Sequence, residues 1–464
     1  MKIIIIGGVA AGAKAAAKAR RLLPDAEINL YTDDTHVSYS ACGIPYYIEG
    51  NFEDYRMLLV RSPEEFAKDN IFVHLEHKVT RIIPFSKQVL VENRKEKNAF
   101  LAEYDKLIIA TGARPFVPKI KNRALNNVFT IRTIEDAIAI RNKLESSSHA
   151  VIIGGGYIGL EMLEAFVRQG VNTTLLERNP YIMSLFDNEM SELIKNQLLS
   201  ISNGKFNIFT SETVTEFSGD NNGVNMIKTD KGKALDTDMV CICAGVTPNV
   251  EIAVEAGVAL GSTGAIKVNK KMETNVPDIY ACGDCVEENL LINNSPIWMP
   301  LGSNANKEGR CAAMNACGFE DIFDGVLGSA VTRCLGLTMS MTGVTEQRAA
   351  ELGYSPVSAT VTKNDKVGYM PDANNITLKV VADKKTGLLL GAQGLGSGDV
   401  DKRINTIASA LLGKLTVDEF CMNDITYAPP FSTTIDPVRP GARLPRADDP
   451  RRRPVREKGG PRRG

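Results

Sequence analysis

The most constraining feature of this sequence is a strand, a glycine-rich turn and a helix that occur twice in the same order. The first copy comprises the strand Lys2–Ile6, the turn Gly7–Gly12, the Ala-rich stretch Ala10–Leu23 and a second strand at Glu27–Tyr31. The second copy comprises Ala150–Ile153, Gly154–Gly159, a helix ending near Gln169 and the strand Val171–Leu176. Such a turn places backbone N–H groups at a helix N-terminus, where a pyrophosphate binds. Two copies predict two separate dinucleotide sites.

The second turn carries the complete dinucleotide fingerprint. Its glycines are Gly154, Gly156 and Gly159, and Glu177 follows two leucines at the end of the next strand. An acidic residue there hydrogen-bonds the ribose 2′-hydroxyl of NAD and repels the 2′-phosphate of NADP. We therefore predict NADH as the nucleotide. NADPH stays an alternative, because Arg178 is placed to accommodate the 2′-phosphate. The predicted contact residues are Gly154, Gly156, Tyr157, Ile158, Gly159 and Glu177.

The first turn departs from the fingerprint at two positions. Gly7 and Gly12 are its first and third glycines, but Val9 occupies the middle position. Thr32 stands where an acidic residue is expected, so we predict that Asp33 contacts the ribose instead. Two later segments end apolar strands with residues suited to ribityl hydroxyls and a pyrophosphate. The predicted contacts of this nucleotide are Gly7, Gly8, Ala11, Gly12, Asp33, Ser38, Thr111, Gly112, Gly283 and Asp284.

The sequence pattern changes near Ser329 and again near its end. Strand-like segments separated by turns predict a mainly antiparallel α+β domain, and they are Val357–Thr362, Ile376–Ala382 and Leu388–Ala392. Residues 439–464 contain nine Arg, five Pro and four Gly. Such a segment buries too little apolar surface to offset its ordering entropy. We therefore predict a basic disordered tail or a sequence artefact there, with a nucleic-acid-binding arm as the alternative.

Charge and cysteine content limit the partners and the compartment. A formal net charge of −1 provides no overall field that would attract nucleic acid or an anionic membrane. No apolar run approaches the roughly 18 residues of a membrane span. The nine cysteines lack zinc-type spacing, and the N-terminus shows no export signal. We therefore predict a cytoplasmic protein with free thiols, no metal, and no nucleic-acid or membrane partner.

The segment Ser38–Tyr47 has the sequence Ser-Tyr-Ser-Ala-Cys-Gly-Ile-Pro-Tyr-Tyr. With both glycine turns, it makes residues 1 to about 438 resemble the pyridine nucleotide–disulfide oxidoreductase superfamily. The segment is similar to the Ser-Phe-x-x-Cys-Gly-x-Pro-Tyr motif of the single-cysteine branch. This branch contains coenzyme A–disulfide reductases, NADH-dependent persulfide and sulfur reductases, and NADH oxidases and peroxidases.

The resemblance implies an α/β fold with two Rossmann-like dinucleotide-binding domains, for FAD and NAD(P)H, and a C-terminal α+β dimerisation domain. It also implies a homodimer. The implied boundaries are residues 1–112 and 245–328 for a split FAD domain, 113–244 for the NAD(P)H domain and 329–438 for the dimerisation domain.

Cys42 is the predicted redox residue. Two-cysteine reductases of the superfamily space their thiols as Cys-x-x-x-x-Cys, but Tyr47 stands five residues after Cys42. A lone thiolate beside the flavin must exchange with an external thiol, sulfur or peroxide. We expect the flavin and an adjacent helix dipole to lower its pKa. The other eight cysteines, including Cys282 and Cys285, are predicted to be structural.

Two features bear on the chemistry at the acceptor. NADH oxidases and peroxidases of this branch carry a His in the first glycine turn, where this chain has Ala10 and Ala11. General acid chemistry on peroxide therefore lacks its usual residue. The resemblance places Tyr369 and Tyr427 in the active site of the partner subunit, where a phenol hydrogen-bonds the leaving thiolate.

The resemblance also implies a substrate site at Lys18, Arg21 and Ser38, where cations suit the phosphates of coenzyme A. The usual Asn before the cysteine is Ala41 here. We predict an FAD-dependent NAD(P)H oxidoreductase that reduces disulfide or persulfide sulfur, with coenzyme A disulfide or persulfide as the acceptor. The alternatives are an NADH oxidase that reduces oxygen through a cysteine sulfenic acid, and a non-catalytic flavin redox sensor.

Overall fold

The computed structural model describes residues 1–439, which divide between two compact units. The first unit comprises Met1–Gly328 with Thr332–Leu337, and the second comprises Ser329–Val331 and the chain from Thr338 onward. The basic segment 439–464 lies outside the described residues, apart from Arg439. No helix within residues 1–439 combines the length and the apolar character that a bilayer crossing needs.

A five-stranded parallel sheet forms the first dinucleotide-binding fold, with Lys2–Ile6 at its centre. In order, its strands are Ile279–Ala281, Lys106–Ile109, Lys2–Ile6, Glu27–Tyr31 and Ile71–His74. Alternate isoleucines point to opposite faces because side chains alternate along a strand. Ile3 and Ile5 pack against a helical layer, whereas Ile4 and Ile6 pack against a small antiparallel sheet. Burial on both faces explains why this strand is a continuous apolar run.

Two helices of small residues, Ala10–Leu22 and Gly302–Ala316, pack closely on the helical side of this sheet. Ala15, Ala16 and Ala19 are completely buried. A Cβ on Gly309 would lie 2.3 Å from the carbonyl oxygen of Ala11, so the two backbones are nearly in contact. The alanines thus set a short interhelical distance that larger side chains would prevent.

Smaller elements complete this part of the chain. An antiparallel sheet contains His77–Ile83, Gln88–Asn93 and Asn98–Glu103. A two-stranded sheet pairs Ala113–Pro115 with Val246–Pro248. A further small sheet contains Ile266–Lys267, Val286–Asn289 and Pro296–Ile297. The short helices are Ile44–Glu49, Pro63–Lys68 and Glu251–Glu255, and the 3-10 turns are Ala41–Gly43, Tyr55–Leu58 and Pro84–Ser86.

A second five-stranded parallel sheet repeats the architecture. Its strands, in order, are Phe206–Thr210, Asn172–Glu177, His149–Ile153, Met239–Ile242 and Val128–Thr130. The helices are Ile134–Leu144, Tyr157–Arg168 and Asn188–Ile201, and an antiparallel sheet of Val214–Asp220, Gly223–Thr229 and Ala234–Asp236 covers one face. Both parallel sheets therefore have the β-α-β start that the glycine turns predicted.

The second unit is built on an antiparallel sheet. It contains, in order, Leu337–Gly343, Leu389–Gly396, Asn375–Asp383 and Pro356–Asn364; Ala330–Cys334 precedes them in the chain. The helices are Glu346–Glu351, Val400–Leu412 and Val417–Cys421. The buried guanidinium of Arg403 pairs with the carboxylate of Asp436 at 3.0 Å. This architecture confirms the predicted fold class of two Rossmann-like domains and a C-terminal α+β domain.

Candidate functional site

The first glycine loop (Gly7–Gly12) joins the central strand to the helix Ala10–Leu22. Gly7 has a φ of +103°, and a Cβ there would lie 2.1 Å from the carbonyl oxygen of Ala110. A Cβ on Gly12 would lie 1.9 Å from the carbonyl oxygen of Gly7. The N-cap residue Val9 provides no side-chain hydrogen bond, and the first helical turn has no acidic residue. The N–H groups of that turn are therefore available to an anion such as a pyrophosphate.

Two further strands end beside the first glycine loop. Lys106–Ile109 and Ile279–Ala281 extend the same parallel sheet, so their carboxyl ends lie at the same edge as the loop. The residues that follow these ends are Thr111, Gly112, Gly283 and Asp284. The structure thus brings to one edge the separate segments that the sequence assigns to one nucleotide.

Asp284 faces Arg132, a residue that the sequence analysis did not select. The Asp284 carboxylate lies 3.3 Å from the Arg132 guanidinium, and a Cβ on Gly112 would lie 3.0 Å from the same guanidinium. Arg132 therefore provides positive charge at this edge. Nothing in a single sequence marks it, because it stands between a short strand and a helix like many surface arginines.

Asp33 has a protein partner. Its carboxylate pairs with the guanidinium of Arg94 at 2.5 Å, and both side chains are about half exposed. Thr32 is buried at the strand end, and its hydroxyl oxygen accepts a hydrogen bond from the N–H of Asp34 at 3.3 Å. The ribose contact of Asp33 stays a prediction.

A buried pair of carboxyl groups, Glu288 and Glu308, lies beside the Gly283 turn. Oε2 of Glu308 accepts a hydrogen bond from the N–H of Gly283 at 2.6 Å. Oε2 of Glu288 accepts one from the N–H of Met299 at 2.9 Å. Burial raises the pKa of both carboxyls, and the negative charge of Glu308 adds to the effect on Glu288. Ionisation of both adjacent buried carboxyls is unfavourable, because two negative charges would repel each other away from water. The pair therefore retains a proton at neutral pH.

We expect Glu288→Gln to stabilise the protein at pH 8. In the unfolded chain both carboxyls lose their protons near pH 4.5, whereas the folded pair retains one. The free energy of unfolding of the wild type therefore falls as the pH rises above 4.5. Glutamine keeps a donor for Glu308 and needs no retained proton. Thermal unfolding at saturating FAD should show a Tm gain of about 2–4 °C at pH 8 and a smaller gain at pH 5.

Glu287→Gln is the matched control for this prediction. Glu287 is partly exposed, and its carboxylate accepts a hydrogen bond from the N–H of Thr263 at 2.8 Å. Removing its charge should give no pH-dependent gain in Tm. A gain for Glu288→Gln that is equal at pH 5 and pH 8 would contradict the retained proton.

The second glycine loop (Gly154–Gly159) repeats the geometry of the first. Gly154 has a φ of +111°, and a Cβ there would lie 2.3 Å from the carbonyl oxygen of Cys243. A Cβ on Gly159 would lie 1.9 Å from the carbonyl oxygen of Gly154. A Cβ on the exposed Gly156, in contrast, would have no neighbour within 4 Å. Space is therefore open at the N-terminus of the helix Tyr157–Arg168, where a pyrophosphate would approach.

Tyr157, Ile158 and Glu177 surround the second glycine loop. The buried hydroxyl of Tyr157 has no hydrogen-bond partner among the described residues, and Ile158 is exposed. Oε2 of Glu177 accepts a hydrogen bond from the N–H of Gly155, and Oε1 accepts one from the N–H of Asn179, both at 2.8 Å. Each carboxylate oxygen can accept a further bond, so Glu177 can hold the loop and a ribose diol together.

We expect Glu177→Ala to raise the KM for NADH by about tenfold and to affect NADPH less. The variant loses a charged acceptor for the ribose diol and also the charge that repels a 2′-phosphate. Glu177→Gln separates these effects, because it keeps an acceptor for the Gly155 N–H without the charge. Initial rates with both nucleotides provide the measurement. If the wild type instead prefers NADPH by tenfold or more, Arg178 decides the preference.

Cys42 lies in the 3-10 turn Ala41–Gly43 and is exposed. The segment before it is tied to the first glycine loop, because the N–H of Ser38 donates to the carbonyl oxygen of Gly8 at 2.7 Å. Ser38 has a φ of +51°, an unfavourable value for serine that often occurs at functional sites. A Cβ on Gly302 would lie 3.8 Å from Sγ of Cys42. The N-terminus of the helix Gly302–Ala316 therefore faces the thiol.

The side chains around Cys42 act against the predicted lowering of its pKa. Although the residue is exposed as a whole, the protein around its thiol raises the pKa by desolvation, the carboxylates of Glu161 and Asp284 raise it further, and Arg132 opposes them. The helix N-terminus at Gly302 favours the thiolate. The lowering of the pKa by a bound flavin stays a prediction, and the two carboxylates, which are distant from Cys42 in sequence, oppose it.

Glu161 is the carboxylate that raises the pKa of Cys42 most. Its Oε1 accepts a hydrogen bond from the hydroxyl of Thr332 at 3.0 Å, and burial raises the pKa of Glu161 itself. It belongs to the helix Tyr157–Arg168, so one helix connects the second glycine loop to the thiol. Nothing in the sequence marks it, because a Glu in an amphipathic helix is ordinarily solvated.

The other cysteines include two close pairs. Cys282 and Cys285 are completely buried, and Sγ of Cys285 donates to the carbonyl oxygen of Cys282 at 3.3 Å. Sγ of Cys241 and Sγ of Cys243 lie 3.7 Å apart beside the second glycine loop. None of the eight is exposed.

The two predicted catalytic tyrosines and the two predicted substrate-binding cations are accessible to solvent. Tyr369 and Tyr427 lie in the second unit and are 75% and 48% exposed. Lys18 is partly exposed and Arg21 is exposed, one turn apart on the helix Ala10–Leu22. Neither cation forms an ion pair within residues 1–439, so both charges are available to a ligand.

Both glycine loops fit a dinucleotide. Each lies at the carboxyl edge of a parallel sheet, and neither of the following helices has an acidic residue in its first turn. The second loop adds the open space at Gly156 and the unpartnered hydroxyl of Tyr157. These are properties of a site that receives a phosphate and a polar ligand.

Comparisons with known proteins agree with this geometry. Residues 1–309 match the family model described as pyridine nucleotide-disulphide oxidoreductase, and residues 332–438 match the dimerisation domain of the same family. The chain is 37% identical over 441 residues to the NAD(P)H coenzyme A polysulfide/persulfide reductase of Pyrococcus horikoshii, covering 94% of this chain and 96% of that protein. It is 31% identical over 441 residues to the coenzyme A disulfide reductase of Staphylococcus haemolyticus, with 94% and 97% covered.

A solved structure shows the same fold. The NAD-dependent persulfide reductase from A. fulgidus aligns with a TM-score of 0.92 at 36% identity, covering 95% of this chain and 82% of that one. The superfamily resemblance in the sequence is thereby confirmed. The chain belongs to the pyridine nucleotide-disulphide oxidoreductase family, whose enzymes depend on FAD and NAD(P)H.

Proposed function

We propose that this enzyme passes electrons from NADH through FAD to a disulfide or persulfide sulfur, with coenzyme A disulfide or persulfide as the acceptor. The observation that carries the proposal is the position of Cys42. It is the exposed one of nine cysteines, and it lies beside a helix N-terminus in a segment tied to the first glycine loop. An accessible thiol beside a helix N-terminus can react with an external sulfur, whereas a buried thiol is inert. The names of two relatives support this acceptor class.

The two glycine loops would hold the two cofactors. FAD would contact Gly7, Gly8, Ala11, Gly12, Asp33, Ser38, Thr111, Gly112, Gly283 and Asp284, and NADH would contact Gly154, Gly156, Tyr157, Ile158, Gly159 and Glu177. When bound, FAD supplies two-electron transfer between NADH and sulfur. The helix Tyr157–Arg168 would place Tyr157 at the nucleotide, and its Glu161 acts electrostatically on the Cys42 thiol, so a single helix bears on both sites.

The reaction at sulfur needs a nucleophile and a proton donor. Sγ of Cys42 attacks one acceptor sulfur, a mixed disulfide forms, and the acceptor S–S bond breaks with its electron pair on the departing thiolate. A phenol of Tyr369 of the partner subunit or of Tyr427 of the partner subunit would donate to that thiolate. Two electrons from NADH then return Cys42 to the thiolate and release the second thiol. The exposure of both tyrosines supports such a role, because a donor in another subunit has to be accessible.

Lys18 and Arg21 would recognise the coenzyme A moiety. They lie on the exposed side of the helix whose opposite face is buried alanine, and they are free of ion pairs with described residues. Two unpaired cations one helical turn apart suit the nucleotide phosphates of coenzyme A. They would therefore affect affinity for the acceptor without taking part in electron transfer.

Steady-state NADH oxidation under anaerobic conditions tests the proposal. Coenzyme A disulfide, coenzyme A persulfide, polysulfide and hydrogen peroxide are compared as acceptors, with oxygen in a separate aerobic run. A sulfur acceptor should give the highest kcat/KM. The proposal is contradicted if oxygen or peroxide is reduced more efficiently than every sulfur compound.

The variant Lys18→Gln/Arg21→Gln provides a matched test of acceptor recognition. It should lose about tenfold or more in kcat/KM with coenzyme A disulfide, because it lacks two charge-assisted contacts. Pantethine carries the same disulfide without the nucleotide phosphates, so its kcat/KM should be unchanged. An equal loss of kcat/KM with both acceptors would show that Lys18 and Arg21 do not bind the phosphates of coenzyme A.

A further inference from the structure

A pair of thiols lies next to the second glycine loop, and the reaction proposed above uses neither of them. Cys241 belongs to the strand Met239–Ile242, and Cys243 follows the end of that strand. Their Sγ atoms are 3.7 Å apart, because alternate residues of a strand point to the same side. Cys241 is completely buried and Cys243 is partly exposed. The pair therefore has one buried thiol and one in a partly exposed residue.

Cys243 supports the backbone of the loop directly. Its carbonyl oxygen would lie 2.3 Å from a Cβ on Gly154, and its own Cβ would lie 3.7 Å from a Cβ on Gly159. Its N–H donates to the carbonyl oxygen of Ile153 at 2.7 Å. Packing this close transmits movement, so a shift of Cys243 displaces the loop.

We propose that Cys241 and Cys243 form a reversible disulfide that weakens NADH binding at the Gly154–Gly159 loop. The inference rests on the proposed role of this loop in binding NADH. A disulfide needs Cβ atoms about 3.5–4.5 Å apart, whereas alternate residues of an extended strand are separated by about 6.5 Å. Closing the bond must therefore shorten the chain. Cys243 lies beyond the strand end, so it is the residue that moves, and the loop moves with it.

The two thiols have different roles in bond formation. Its hydrogen bond to Cys243 and its burial raise the pKa of Cys241, whereas Cys243 is the partly exposed thiol of the pair and is the one that an oxidant meets first. The Cys243 thiolate attacks hydrogen peroxide, the O–O bond breaks, and a sulfenic acid and hydroxide form. The sulfur of Cys241 then attacks Cys243, the S–O bond breaks, and the departing hydroxide takes the Cys241 proton. Two thiols thus lose two electrons, one peroxide becomes two waters, and an external dithiol reverses the change.

Peptide analysis detects the bond without reference to enzyme activity. Trypsin releases the fragment Ala234–Lys267, which contains both cysteines and no others. After peroxide treatment of the FAD-loaded protein, this fragment should be two hydrogens lighter and resist alkylation, and dithiothreitol should reverse both properties. Failure of the bond to form in peroxide-treated protein would overturn the proposal.

The effect on NADH is measured from flavin reduction under anaerobic conditions, a step that precedes the chemistry of Cys42. The NADH concentration for half-maximal reduction should rise by about tenfold after oxidation. Because coupling is reciprocal, a nucleotide that binds the reduced pair tenfold more tightly also favours reduction of the disulfide. Bound NAD⁺ or NADH should therefore raise the reduction potential of the pair by about 30 mV. Unchanged NADH affinity in fully bridged protein would also overturn the proposal.

Three variants isolate the pair from the other thiols. Cys243→Ser and Cys241→Ala cannot form the bond, so peroxide should leave their NADH affinity unchanged. Cys317→Ser removes another partly exposed thiol and should respond like the wild type. A response to peroxide that persists in Cys243→Ser would assign the effect to a different cysteine. Gly154→Ala tests the loop itself: if this variant binds NADH normally, the proposed nucleotide site has failed, whatever the disulfide does.

Discussion

The Cys42→Ser enzyme should bind FAD and accept hydride from NADH, yet lose turnover with disulfide and persulfide acceptors. A serine hydroxyl cannot form a mixed disulfide, and removal of a catalytic nucleophile typically costs several orders of magnitude. We expect kcat to fall by at least about 10³-fold. The measurement is anaerobic NADH oxidation with coenzyme A disulfide or persulfide. Oxygen uptake is no substitute, because reaction with oxygen need not pass through the thiol.

Two controls define the thiol effect. Tyr427→Phe removes one hydrogen-bond donor and leaves the nucleophile, so its loss should stay within about 10²–10³-fold. Cys317→Ser removes a thiol outside the site and should turn over like the wild type. Full activity of Cys42→Ser with a sulfur acceptor would contradict a mechanism that passes through the thiol.

The Gly154→Ala variant should keep its FAD and lose reduction by NADH. The residue has a φ of +111°, which costs an L-residue about 1–2 kcal/mol, and the new Cβ would lie 2.3 Å from the carbonyl oxygen of Cys243. The loop must move to relieve this contact, and misplacement of about 1 Å can cost 10²-fold. We expect the half-saturating NADH concentration to rise by at least about 10²-fold. Stopped-flow flavin reduction measures this concentration, and absorbance of the bound flavin measures FAD content.

Gly204→Ala separates backbone strain from the steric contact. Gly204 also has a positive φ, +77°, but a Cβ there would have no neighbour within 4 Å. This variant should lose some stability and keep its affinity for NADH. Gly7→Ala is the counterpart in the first loop, where a Cβ would lie 2.1 Å from the carbonyl oxygen of Ala110, and it should lose FAD. Normal reduction of Gly154→Ala by NADH would place the nucleotide at another site.

The glycine loops could be located from the sequence because their requirements are local. A strand, a turn with positive φ and a helix follow one another within a few residues, so the pattern of glycines records the backbone geometry. The parallel sheets follow from the same repeat, since strands of the βαβ unit lie side by side. Gly7 and Gly154 show this directly, with nearly equal φ values of +103° and +111°.

The electrostatics of the site could not be predicted in the same way. Arg132, Glu161 and Glu308 reach the site from helices and connections far along the chain, and only tertiary packing brings them together. Among them, Glu161 raises the pKa of Cys42 and Arg132 lowers it, and neither effect can be read from the sequence around the cysteine. Asp33 is a further example, because its partner Arg94 lies on a different strand connection.

The helix Ala10–Leu22 divides its surface between two tasks. Its buried alanines set a backbone-to-backbone spacing against the helix Gly302–Ala316, whose first residue faces Cys42. Its exposed positions, among them Lys18 and Arg21, make no contribution to that spacing. If Lys18 and Arg21 bind the acceptor as proposed, substitutions on this outer face could change acceptor preference while the spacing of the two helices stays the same. In design terms, the two faces of this helix could then be altered independently, one for specificity and one for the position of the thiol.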